Sequence, residues 1–235
     1  VGTFGFQHTS LEAGDTDAQK KADVKAVFSH ARGAGNVVLT GTEAGTEPTI
    51  GLIQNEASAK EFYCHIAGDS WICVDKRWAT KKVDTGWNKV VNAGSGHSAR
   101  GVAWMTVDTP LGRMSFAAMH LLTAKSSEQE PNANPKLKDA AVQWAKDHGP
   151  LSFIGADVNA DDRSKNVWGS SAVTTCWDEL KKYPDTLEGG PDNTIDVFTR
   201  LSSGPARFTS ARAMSDADLK LNADHKLIQG TIKIT

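Results

Sequence analysis

The apolar positions of the chain switch between two rhythms, and the switches mark out its elements. Gly2 to Gln7 reads as a short strand, and from Asp17 to Ala31 apolar Ala22, Val24, Val27 and Phe28 recur at roughly helical spacing, so a helix follows the strand. Asn36-Val37-Val38-Leu39-Thr40 is a compact β-rich run closed by Gly41, which leaves Glu43 just past a strand end. The middle of the chain predicts antiparallel sheet. Phe62 to Ile66 and Trp71 to Asp75 form a candidate hairpin over Ala67-Gly68-Asp69-Ser70, and Lys89 to Asn92 is a further short strand. Gly101 to Val107 and Arg113 to His120 are strands separated by the turn Asp108-Thr109-Pro110-Leu111-Gly112. Asn134 to His148 carries Leu137, Ala140, Ala141, Trp144 and Ala145 on one face and stops at Gly149-Pro150, the pattern of a terminated helix. Leu151 to Ile154 then runs as a strand into Gly155-Ala156-Asp157-Val158-Asn159, and Thr194 to Leu201, Ala206 to Ala211 and Lys226 to Ile234 read as late strands. Helices mixed with mostly antiparallel strands predict layered α+β packing. No repeat, low-complexity run or linker divides the chain, so residues 1–235 are expected to form one domain.

Composition narrows the class. With 39% hydrophobic and 23% charged residues the chain can bury a real core, which predicts a soluble globular protein. A formal charge of -2 supplies no global basic field for nucleic acid or anionic membrane, so an anionic partner must be held locally. The longest apolar stretches, such as Phe116 to Leu122, are far short of the ~20 residues that span a bilayer, so no membrane anchor is expected, and a monomer is. Of three cysteines, Cys64 would face Cys73 across the candidate hairpin, where a bridge is geometrically allowed. The odd and sparse set nevertheless favours two buried thiols in a reducing cytoplasm, while a first residue Val1 leaves processing and secretion open.

Common signatures fail. There is no Gly-x-x-x-x-Gly-Lys-Ser/Thr loop, no His-Glu-x-x-His and no dinucleotide fingerprint. Gly96-His97-Ser98-Ala99-Arg100 imitates a nucleophile elbow but puts Arg100 where Gly is required. Asp157-Val158-Asn159-Ala160-Asp161 imitates a calcium loop, yet Asp162 replaces the turn glycine and Trp168 the bidentate Glu. What remains is a set of polar residues near predicted strand ends: Glu43, His120, Asp157 with Asn159, Asp196, and Asp224 with His225. Singly, such a carboxylate is more often a cap or a solvated loop residue than a ligand, and His120 between Met119 and Leu121 reads equally as a core histidine.

Their order changes the reading. Gly41-Thr42-Glu43, Met119-His120-Leu121, Ile154-Gly155-Ala156-Asp157-Val158-Asn159, Thr194-Ile195-Asp196 and Asn222-Ala223-Asp224-His225 together resemble the DNase I-like endonuclease/exonuclease/phosphatase superfamily. The resemblance covers essentially the whole chain and implies a four-layer α/β sandwich, two facing mixed β-sheets flanked by helices, with the site at one end of both sheets. The chain departs from the family pattern at Gln7, where Asn is usual, at Ala118 and Met119 before the His-Leu pair, and at Ala223 before Asp224-His225.

If Glu43, Asp157, Asp196 and Asp224 converge, their repulsion calls for a divalent ion, and oxygen ligands without a thiolate cluster favour Mg²⁺, with Mn²⁺ or Ca²⁺ as alternatives. On this reading Glu43 binds the metal with Gln7 and Asp224 nearby, and Asp157 and Asn159 orient the attacking water. The resemblance pairs His225 with Asp196, and His120, Arg100 and Asn159 are candidates to hold the phosphate. The expected activity is metal-dependent phosphoester hydrolysis, foremost by a nuclease acting on DNA or RNA. Lys76, Arg77, Trp78, Lys81, Lys82 and Trp87 form a basic aromatic segment suited to a nucleic-acid backbone and its bases, slightly ahead of a solvated hairpin face. The alternatives are a phosphatase or phosphodiesterase acting on a small or lipid-derived phosphate, and a binding protein that kept the fold but lost turnover. The intact Glu43, Asp157, Asn159, Asp224 and His225 set argues against the last.

Overall fold

A computed structural model describes residues 1–11, 15–44, 46–57, 61–94, 97–160, 163, 166–188 and 193–235. Gly96 of the elbow-like stretch and Asp161 and Asp162 of the calcium-loop-like stretch lie outside the described residues. The first half of the chain runs β1 (Gly2–Ser10), α1 (Asp17–Ala34), β2 (Asn36–Thr42), α2 (Thr49–Glu56), β3 (Phe62–Ala67), β4 (Ser70–Asp75), β5 (Lys81–Val91), β6 (Arg100–Thr109) and β7 (Gly112–His120). The second half adds α3 (Ala124–Gln129), α4 (Ala133–Asp147), β8 (Ser152–Asp157), β9 (Val173–Thr175), α5 (Cys176–Leu180), β10 (Asp196–Leu201), β11 (Ala206–Ala213) and β12 (Ile228–Ile234).

Helix α1 begins where Thr16 and Gln19 satisfy each other's backbone N–H groups, and ends on Gly35 in the left-handed conformation at φ 72°, a geometry that glycine adopts without steric cost. The strands form two six-stranded mixed sheets, ordered β11-β12-β1-β2-β4-β3 and β5-β6-β7-β8-β10-β9. Each has one parallel pair, β1 with β2 and β7 with β8, and is otherwise antiparallel. Apolar residues of α1 and α2 pack on Leu39, Trp71 and Cys73 of the first sheet, while Leu137, Ala141 and Trp144 of α4 cover the second. This is the expected four-layer sandwich.

Between the sheets lies an aromatic floor. Phe6 stacks on Phe198 at 4.2 Å between ring centres, and Phe4 meets Phe153 edge-on at 5.4 Å. Because side chains alternate along a strand, the inner face of β1 reads Phe4, Phe6, His8, Ser10, and Gln7 falls on the other face. Gln7 Nε2 donates to Val27 O of α1 at 3.1 Å, and Gln7 Oε1 accepts from Asn36. The expectation that Gln7 stands near a metal is therefore corrected: β1 runs on to Ser10, so residue 7 is mid-strand and turned toward the helix layer.

The hairpin of β3 and β4 has the expected register, with Cys64 opposite Cys73, and the two form a disulfide. The expectation of two thiols is thus overturned by direct cross-strand apposition; Cys176 is a buried free thiol. No helix among the described residues is long and apolar enough to cross a membrane.

The sheets approach closely beneath their polar end. A β-carbon at Gly155 of β8 would fall on Thr40 Oγ1 and against the His8 ring of the facing sheet. Gly155→Ala is therefore expected to destabilise the protein by about 1–3 kcal/mol through overpacking. Urea unfolding measures this, and an unchanged midpoint would show that the two sheets do not touch there.

Candidate active site

Three neighbouring strands end level with one another. In the parallel pairing of β7 with β8 His120 lies opposite Asp157, and in the antiparallel pairing of β8 with β10 Asp157 lies opposite Asp196. His225 enters from the loop before β12. Its Nδ1 bonds Asp196 Oδ2 at 2.7 Å, and its Nε2 lies 3.8 Å from Asp157 Oδ2. On the other flank His120 Nε2 lies 3.2 Å from Asp157 Oδ2, and its Nδ1 bonds Asp69 Oδ2 at 2.8 Å. Arg100 closes the row with Nη1 at 2.6 Å from Asp69 Oδ2. Carboxylates and cationic side chains thus alternate, Arg100, Asp69, His120, Asp157, His225, Asp196, and all six are buried.

The alternation sets protonation. Burial opposes a proton on His120, but Asp157 and Asp69 outweigh it and push the ring up to about 9. Burial opposes a proton on His225 too, and Asp196, Asp157 and Asp224 together push it up to about 10. Burial works to raise Asp196, yet His225 and His8 hold it well below the usual carboxylate range. Ser10 Oγ donates to the remaining oxygen of Asp196 at 3.2 Å, and Thr42 Oγ1 donates to Ser10.

The other candidates are placed as follows. Asn159, at φ 45°, donates its backbone N–H to Asp157 Oδ1 at 2.9 Å, and its side-chain amide donates to Leu121 O at 2.8 Å. Glu43, at φ 62°, lines a cleft of about 400 Å³ with Lys20, Asp69, Ser98, Arg100 and His120. Asp224 Oδ1 lies 3.7 Å from His225 Nε2, with its carboxylate 59% exposed. A larger concavity of about 530 Å³, lined by Asp185, Glu188, Asp216 and Lys226 among others, contains none of the alternating pairs.

The basic aromatic segment is not at this end of the molecule. Lys81 pairs with Asp108 and Val91 with Arg100, so the lysines stand on the order of 25 Å from Arg100 at the usual rise of a strand. Trp78 packs on Phe4 at 5.1 Å, Arg77 is forked on Asp75, and Lys76 lies over the Tyr63 ring. The expected contact of these residues with a nucleic-acid backbone beside the site is corrected accordingly. Trp87 alone comes near, as a prop: a β-carbon on Gly68, next to Asp69, would strike its ring.

Asp69, His8 and Ser10 were not among the expected site residues. Asp69 sits in a four-residue turn, where Asp reads first as a turn former. His8 and Ser10 did carry a signal, since they continue the alternation of Phe4 and Phe6 on the strand's inner face.

No family model matches the chain, and no curated protein matches it in sequence. Solved structures do match. D. rerio TDP2 complexed with a single-strand DNA product superposes with a TM-score of 0.78 at 16% identity, covering 99% of this chain and 100% of that one. The human Nocturnin catalytic domain with bound sulfate gives 0.75 at 11%, covering 99% and 95%. A mannosyl-6-phosphatase of Bacteroides thetaiotaomicron gives 0.72 at 10%, covering 99% of each. The chain has the DNase I-like endonuclease/exonuclease/phosphatase fold.

The row makes a prediction for the metal-free protein. In excess chelator, an NMR titration should place the His120 ring midpoint near pH 9. Asp69→Asn removes one of the two carboxylates that favour the proton, so the midpoint should move to lower pH. A midpoint that stays in place would detach Asp69 from the row.

Proposed function

We propose that this chain is a divalent-metal-dependent phosphoester hydrolase acting on a small phosphate ester. The observation that carries the reading is the buried alternating row beside a cleft that holds Glu43, at the shared end of two sheets.

The donor set suits a hard cation. Asp157, Asp196 and His225 offer ligand atoms within 4.8 Å of one another with no thiolate among them. His225 Nδ1 is engaged by Asp196, and Glu43 in the cleft and Asp224 beside His225 are the further carboxylates that would hold Mg²⁺ or Mn²⁺ with this group. When bound, the ion polarises a phosphoryl oxygen and draws the anion in.

The chain's own groups do the rest. Arg100, paired with Asp69, and His120 line the same cleft and are the cationic side chains that would meet a phosphate oxygen. Asp157, fixed by the Asn159 N–H, orients the attacking water. His225, protonated and aimed by Asp196, donates to the departing oxygen or to the charge that develops there.

The size of the cleft and the distance of the lysines favour a small substrate. A nuclease acting on single-strand ends is the second reading, supported by the DNA product in the D. rerio TDP2 structure. A monomer remains part of the proposal.

The test is a panel of sugar phosphates, p-nitrophenyl esters, single-stranded DNA, RNA and plasmid with Mg²⁺ or Mn²⁺. Turnover of small esters above all nucleic acids is expected. Glu43→Gln should abolish turnover while leaving the unfolding midpoint nearly unchanged, whereas Asp157→Asn should abolish turnover and also lower the midpoint, because it leaves two buried imidazolium rings without the carboxylate they share. His225→Ala should lose on the order of a hundredfold or more. Full activity in excess chelator would overturn the metal requirement, and preference for single-stranded DNA would decide for the second reading.

A further inference from the structure

Helix α1 buries a carboxylate that the hydrolytic reading does not use. Asp23 shares the inner face of α1 with Val24, Val27 and Phe28 and is 2% exposed. An apolar side chain would serve that packing better, because a buried carboxylate is costly unless its oxygens are bonded. Both are.

Oδ1 accepts from Asn222 N at 2.8 Å and from Asn222 Nδ2 at 2.7 Å. Oδ2 accepts from Asn222 N at 2.9 Å and from Ala223 N at 2.9 Å. The two residues it grips lead directly into Asp224 and His225. From the other side the same segment is held by main-chain bonds, Glu188 N to Asp224 O and Lys226 N to Thr186 O, by the bridge of His225 to Leu187, and by the Lys226 ammonium on Asp185 at 3.0 Å. On the α1 side, Asp23 is the side chain that ties this loop to the helix.

We propose that Asp23 is a positioning residue for the reaction, fixing the Asn222-Ala223 main chain and with it the direction in which Asp224 and His225 enter the site. This rests on the hydrolase reading above. His225 must reach Asp196 with one ring nitrogen and face Asp157 with the other, so a small rotation of its main chain breaks that geometry. Asparagine cannot replace Asp23, since it offers one oxygen and turns an NH₂ group toward the Ala223 N–H.

The experiment compares wild type, Asp23→Asn and Asn222→Ala with bis(p-nitrophenyl) phosphate and Mn²⁺, and records the His225 ring resonances without metal. At saturating Mn²⁺, Asp23→Asn should lower kcat on the order of ten- to a hundredfold with KM little changed, because Arg100 and His120 are untouched while His225 is misaimed. Its His225 ring signals should shift. Asn222→Ala, which removes only the side-chain donor, should show a smaller loss of the same kind and decides the matter if Asp23→Asn does not fold. Unchanged kcat and ring signals, with only a lower unfolding midpoint, would make Asp23 a structural clamp and overturn the proposal. If wild type hydrolyses no phosphoester, the functional reading fails instead, and the ring signals alone judge Asp23: a shift supports positioning, and none overturns it.

Discussion

Charge alternation in a buried row is the constraint on which the rest of this structure depends. Taking one carboxylate or imidazolium out of water costs several kcal/mol, and breaking a buried pair by removing a partner costs about 3–5 kcal/mol. Asp157 is tolerable only because His120 and His225 flank it, and each ring keeps its proton only because a second carboxylate, Asp69 or Asp196, sits at its far nitrogen. The row is thus cooperative. Its end groups are secured in turn, Asp69 by Arg100 and Asp196 by Ser10 and His8.

The fold supplies what this row needs. Register alone puts His120, Asp157 and Asp196 level, since a slip of one residue would turn each to the opposite face. Beneath them the same strands present Phe116, Phe153 and Phe198, whose rings pack between the sheets and keep water from the underside of the ion pairs. The absent β-carbon of Gly155 lets His8 and Thr40 of the facing sheet come close enough to complete the polar layer.

Much of this was legible in the sequence where function and periodicity agree. His120, Asp157, Asp196 and His225 were marked by their places at strand ends and by their order, and the structure brings all four together. Gln7 misled because the strand outlasts its apolar stretch by three residues, and a strand end judged from hydrophobicity was not the end of pairing. The basic segment misled for a different reason. Composition shows that Lys81, Lys82 and Trp78 are near one another in sequence, but only the pairing of β5 with β6 shows which end of the sheet they occupy. Asp69 and Asp23 were hidden because their partners are distant: a turn aspartate and a helix aspartate gain meaning only from His120 and from Asn222.

On the proposed reading, the same row gives a reason for a cation in the reaction. Three carboxylates face three cationic groups, so the row is neutral before any substrate arrives. A phosphate would gain hydrogen bonds from Arg100 and His120 only by sharing them with Asp69 and Asp157, and it would bring charge that the row's cations already balance. Partial desolvation in the cleft makes that surplus more costly than it would be in water. On that reading, Glu43 and Asp224 would hold a divalent ion to offset that charge, and the two imidazolium rings would be left to do what their fixed protons allow, which is to donate.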